Sequence, residues 1–193
     1  MIRYHDGKPP VLARVEELGF DTFKGKYDLN IIACRNTALQ GNTFRDTLHV
    51  VHHIEGVWEE HVFSCATCPG DWWLQNSKRN DGVAILMHDH QYRKGYTFGK
   101  HRGKYDCLVP AHSLEVWRDG NKDDVLDFGV MEGSSASVQI HKAGSRSVYV
   151  EKWSAGCLVL QTGFDSFMSL CRLQKMHGLG SRFTLTILEG LFL

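Results

Sequence analysis

Neither sign of charge prevails in this chain: 22 Lys and Arg stand against 22 Asp and Glu over 193 residues. That balance excludes the broad positive field behind non-specific nucleic-acid binding, so no nucleic-acid partner is expected. No stretch approaches the roughly 18 apolar residues of a membrane-crossing helix, and no transmembrane segment is expected. The opening MIRYHDGKPP holds Asp6 and two prolines and no apolar centre of a secretory signal. Synthesis in the cytoplasm is therefore the expectation. Six Cys are too sparse for a disulfide scaffold at this length, which leaves free thiols. Internal repeats, linkers and low-complexity tracts are lacking as well. What is present is 42% hydrophobic and 11% aromatic residues, enough for one continuous core and one domain over 1–193. Eleven His and six Cys supply an unusual stock of groups able to bind metal or act as nucleophiles.

The patterning is mainly β. Pro9 to Gly19 has helix grammar, with prolines at the start and Val11, Leu12, Val15 and Leu18 as the apolar set, giving a helical extension over 1–26. Tyr27 to Cys34, Thr47 to Ile54 and Val57 to Cys65 are β-branched and aromatic runs, the last two joined by a tight turn at Glu55-Gly56. Short strands are predicted at Val83 to His88, Cys107 to Val109, Ser113 to Arg118, Ser137 to His141, Ser147 to Glu151 and Cys157 to Leu160. Phe164, Phe167, Met168 and Cys171 then make a helical stripe, and Arg182 to Leu188 a last strand. The expected fold is a β-sandwich or barrel with a short N-terminal helix and one helix after Cys157.

The segment from Val138 to Leu160 reads VQIHKAGSRSVYVEKWSAGCLVL. A strand ends in His141, and the small-residue turn Ser154-Ala155-Gly156 delivers Cys157 at the head of another. Small residues let the backbone turn tightly and aim the N–H groups of Ala155, Gly156 and Cys157 at a developing oxyanion. A His on a neighbouring strand can take the thiol proton and return it to a leaving amine. The bland alternative is an ordinary buried Cys.

This stretch resembles the catalytic motif of the L,D-transpeptidases, a His followed by a loop and Ser-His-Gly-Cys. His141 matches the His, and Ser154, Gly156 and Cys157 match the Ser, Gly and Cys. The likeness runs over 138–188, through Asp165 at the start of a helix to the terminal strand, and reaches back to FSCATCPG at Phe63 to Gly70. Ala155 stands in place of the second His, Leu158-Val159 in place of Ile-Arg, and Lys142 where Gly is common. The resemblance implies an L,D-transpeptidase-like domain that performs acyl transfer on peptidoglycan stem peptides. Cys157 would form a thioester and His141 would act as base, with Ser154 in the catalytic set and no cofactor required. A backbone carbonyl in the 142–147 loop, Ser145 or Ser154 would orient His141. Trp72, Trp73, Arg102, Lys142 and Ser145 are candidates for substrate binding. Without an export signal, release to the cell wall or carriage on a phage particle is expected. The alternative is an inactive wall-binding or virion protein on the same fold.

Three other clusters have chemistry to offer. Asp119, Asn121, Asp123 and Asp127 fall at positions 1, 3, 5 and 9 of a calcium-type loop, with Asp124 where the sharp-turn Gly belongs. A structural calcium and a solvated hairpin turn both fit that spacing. His49, His52, His53 and His61 lie on two adjacent strands, with His52 on the face opposite His49 and His53, and His88 and His90 form an HxH; no acidic companion is evident in sequence for a metal at either. Cys65 and Cys68 form a lone CxxC, read as two free thiols rather than half a zinc site. Finally, Tyr92 to Lys104 gathers Arg93, Lys94, Lys100, His101, Arg102 and Lys104 among aromatics, a local basic patch or exposed loop.

Overall fold

Runs of β-branched and aromatic residues dominate the chain, and strands dominate the structure. The computed structural model describes residues 1–37, 41–123 and 125–190. In chain order the elements are β1 (Ile2–Tyr4), α1 (Pro10–Glu17), β2 (Asn30–Arg35), β3 (Asp46–Ile54), β4 (Val57–Ala66), α2 (Asp71–Gln75), β5 (Val83–Leu86) and β6 (His90–His101). Then follow β7 (Tyr105–Pro110), β8 (Leu114–Asp119), β9 (Glu132–Ser135), β10 (Ile140–Lys142), a 3-10 turn (Glu151–Trp153), β11 (Leu158–Leu160), α3 (Phe164–Met176) and β12 (Arg182–Glu189). None of the described helices is long and apolar enough to cross a membrane.

Nine strands pair in the order β1-β4-β11-β10-β7-β6-β12-β2-β3, and β3 also pairs with β4. The hydrogen-bonded path therefore closes on itself through every strand except β1. A separate sheet, β5-β8-β9, lies beside it. Ile31, Val50, Leu108, Ile140, Leu158 and Leu185 share one core with Phe164, Phe167, Met168 and Cys171, so the helical stripe of α3 packs against the sheet's apolar face. Val11, Leu12 and Val15 of α1 cover Ile32, Cys34, Val51 and Leu188 on other strand faces.

Several expectations change. Residues 1–26 are not simply a helical extension, because β1 pairs with β4 and α1 is packed on the sheet. The basic stretch 92–104 is no loop: most of it is β6, the longest strand, between β7 and β12. Arg93 pairs with Asp21, and Lys100 with Asp106. Ser147 to Glu151 forms no strand. Tyr149 makes one bridge to Thr43, and the chain then coils into the 3-10 turn, with Glu151 in the left-handed region at φ 44°.

The two sheets are tied by a buried polar relay. Arg35, 1% exposed, donates through Nε to Thr67 Oγ1 at 2.9 Å and through Nη2 to the Leu86 carbonyl of β5 at 2.7 Å. Thr67 Oγ1 donates in turn to Asp46 Oδ2 at 2.7 Å. Thr67→Val keeps the shape but strips both charged neighbours of a partner. We expect it to lower the unfolding free energy in urea by about 2 kcal/mol; an unchanged midpoint would contradict the relay.

Candidate functional site

β10 and β11 run parallel, with Ile140 opposite Leu158 and His141 opposite Val159. Cys157 precedes β11 by one residue, and the pairing continues past it. Leu158 N–H donates to the Gln139 carbonyl at 2.9 Å, and Gln139 N–H to Cys157 Sγ at 3.3 Å. Side chains alternate along a strand, so His141 and Cys157 share one face, opposite Ile140 and Leu158. Diagonal neighbours on adjacent strands are roughly 7–8 Å apart, within reach of an aromatic ring. Both residues line one cavity of about 200 Å³, together with His101, Arg102, Gln139 and Trp153.

The turn before Cys157 is braced from within. Ser154, fully buried, donates its hydroxyl to the Cys157 carbonyl at 2.7 Å and accepts from Gly156 N–H at 3.0 Å. Both bonds lie within the turn, and neither joins Ser154 to His141. Gly156 sits at φ 118°, and a Cβ there would lie 2.1 Å from the Ala84 carbonyl oxygen of β5. Only glycine fits that approach. Of the three N–H groups expected to hold an oxyanion, that of Gly156 is taken by Ser154. Among the described residues no partner is seen for those of Ala155 and Cys157.

His141 is 1% exposed, and its Nδ1 lies 3.0 Å from the Lys142 carbonyl. A carbonyl only accepts, so the proton is on Nδ1 and the lone pair on Nε2. Nε2 has no hydrogen-bond partner among the described residues. The His101 ring packs on His141 at 4.2 Å between centroids, itself held by Nδ1 to Gln139 Oε1 at 2.7 Å. Burial brings His141 down to about 4, reinforced by His101 and Arg102 and opposed by the Lys142 and Trp153 carbonyls. Burial pushes the Cys157 thiol up to about 11, against the pull of Gln139 N–H and Arg102. Near neutral pH the pair is thus an uncharged thiol beside an uncharged imidazole. The thiol is half-buried and directed at the Ser137 carbonyl, 3.7 Å away.

Cys157, His141, Ala155, Trp73 and Arg102 line one cavity. Trp72 does not line the cavity; it stands edge-on to Trp73 at 4.6 Å with Lys152 over its ring. Lys142 and Ser145 line a different hollow with Tyr105, Gly163 and Asp165, and Trp153 borders both hollows. On the far side of Cys157 a larger concavity of about 560 Å³ holds Lys78, Arg79 and Arg118 beside Ser113, Ser134 and Ser135. Trp73, Ser137, Ala155 and Cys157 border it as well as the smaller cavity. Sequence reasoning did not place His101, Gln139 or Trp153 here. Gln139 was within reach, being two residues before His141 and so on its face.

The other clusters are less convergent. Asn121 Nδ2 donates to Asp123 and Asp127, and Asp127 N–H to Asp119, so the acidic loop satisfies its own carboxylates. Its Asp124 lies outside the described residues. His88 and His90 do not share an extended face: Asp89 between them has φ 45°, and His88 packs on Trp117 while His90 packs on Tyr92. Cys65 and Cys68 are buried free thiols. His49 pairs with Glu60 at 2.6 Å. Comparison with family models, with curated proteins and with solved structures found no match.

Cys157 is the one cysteine among the described six that is not buried. Iodoacetamide should label it well ahead of Cys171. Its rate should climb about tenfold per pH unit and level off only near 11, because the thiolate is the reactive form. A plateau below pH 8 would reveal a preformed thiolate and contradict the neutral pair.

Proposed function

We propose that this chain is a cysteine-nucleophile acyltransferase or hydrolase of L,D-transpeptidase type, acting on peptide amides of peptidoglycan. The observation that carries the proposal is the pairing of β10 with β11. It sets Cys157 and His141 on one face and in one cavity, with Lys142 holding the imidazole proton on Nδ1. Cys157 Sγ attacks the amide carbonyl carbon as its proton passes to His141 Nε2. The oxyanion is met by Ala155 and Cys157 N–H. The C–N bond then breaks, the amine leaves with the proton from Nε2, and a thioester remains. A second amine or a water attacks the thioester carbon and gives its proton to Nε2; the C–S bond then breaks, and that proton passes to the sulfur to restore the neutral pair.

The surroundings favour an anionic peptide. Arg79 and Arg118 are paired with Asp81, which leaves Arg102 and Lys152 on one side of Cys157 and Lys78 on the other. These cations suit stem-peptide carboxylates and supply what the absent Arg after Cys157 would otherwise offer. Two hollows meeting at the sulfur leave room for an acyl donor and an acceptor. One observation favours the second reading, a wall-binding protein without chemistry: no hydrogen bond joins Cys157 Sγ to His141.

Turnover of purified stem peptides, followed by chromatography of the products, separates the two. We expect the wild-type chain to cleave or exchange an amide, and His141→Gln or Cys157→Ser to reduce the rate by about 10²–10⁴. The rate should be flat through neutral pH and fall as pH drops through about 4, where His141 is protonated beforehand and cannot take the thiol proton. Equal turnover in Cys157→Ser would overturn the proposal, and stem peptides bound but never converted would establish the second reading.

A further inference from the structure

We infer that His52, Glu59 and His61 form a binding site for a divalent transition-metal cation of the Zn²⁺ class, separate from the Cys157 cavity. The β3–β4 register places His52 directly opposite Glu59 and Val50 opposite His61. His52, Glu59 and His61 therefore project from the same face of the hairpin. One ligand atom from each lies within 4.8 Å of the others. Glu59 is the acidic companion: it stands two residues before His61 on β4 and across the turn from His52 on β3.

The second observation is an unpaired buried group. His52 is 1% exposed, and neither of its ring nitrogens has a hydrogen-bond partner among the described residues. Buried polar groups in folded proteins are paired almost without exception. The Nε2 of His52 faces Glu59 Oε2 at 3.9 Å, too far for a hydrogen bond. A cation between them would satisfy both. Four-coordinate zinc holds ligands at about 2.0–2.1 Å and so about 3.3 Å from one another. Side-chain rotation that closes the set by at most about 1.5 Å reaches that geometry.

The chemistry of the set also selects the ion. Two imidazoles and one carboxylate suit zinc and its neighbours rather than calcium or magnesium, which prefer all-oxygen sites. Arg3 Nε donates to Glu59 Oε1 at 2.9 Å, leaving Oε2 toward His52. Such an outer partner is what orients a ligating carboxylate. His61 borders a groove with Ser169, Leu170 and Leu173 of α3, through which an ion and a fourth, solvent ligand can enter.

The test is competition for Zn²⁺ between the full chain, stripped of metal and desalted, and a chromophoric chelator. One zinc per chain is expected, with affinity lowered about 100-fold or more in His61→Ala and in Glu59→Gln. Stoichiometric binding unchanged in both variants, or no binding by the wild-type chain, would overturn the site. Co²⁺ gives a readout on the wild-type chain should a variant fail to fold. Ligand-field bands without a thiolate charge-transfer band support the His/Glu/His set. A charge-transfer band would place the metal on Cys157 or on Cys65 and Cys68, and would refute the assignment.

Discussion

The parallel pairing of β10 with β11 is the constraint on which the site depends. Two residues of offset in that ladder convert a sequence separation of 16 into neighbouring side chains on one face. The ladder cannot shift by one residue without turning Ile140, Leu158 and Leu160 out of the core and His141 into it, so core burial holds the register. The same pairing brings Gln139 N–H to the sulfur and the Gln139 side chain to His101, which packs on His141. At the other end, Gly156 presses against the Ala84 carbonyl, which anchors the turn that carries Cys157 to the second sheet as well.

Burial governs the electrostatics of this pair. It raises the thiol and lowers the imidazole, so each holds its uncharged form and no ion pair rests in the cavity. The bond from Nδ1 to the Lys142 carbonyl then sets the state of the ring. It fixes the tautomer, and together with the Trp153 carbonyl it favours the imidazolium that proton transfer would create. A neutral resting pair also spares the protein an uncompensated buried charge before a substrate arrives.

Local patterns were legible where one element carried the information. The turn at Glu55-Gly56 has both central residues at positive φ, as a two-residue hairpin requires, and the Phe164, Phe167, Met168, Cys171 stripe is the buried face of α3. Cys157 and His141 were legible from small residues before a cysteine and a histidine ending a strand. β6 was not, because Gly95 and Gly99 and the basic side chains of Arg93, Lys94 and Lys100 disguise it. Gly99 is there for packing: a Cβ would meet the Val109 side chain at 2.6 Å. His101 stayed hidden for the same reason, since its approach to His141 depends on the non-local order β6-β7-β10. The His52–Glu59 pairing lies between these cases, for counting back from the hairpin turn puts the two residues opposite one another.

The central claim is that His141 Nε2 is the base for Cys157, and a mechanism-based acylating agent tests it most directly. Intact-protein mass spectrometry of the chain with a carbapenem should show one adduct, localised to Cys157. His141→Gln, which retains the thiol and its surroundings, should acylate about 100-fold more slowly or worse. Acylation of His141→Gln at the wild-type rate, or an adduct on another residue, would contradict the account.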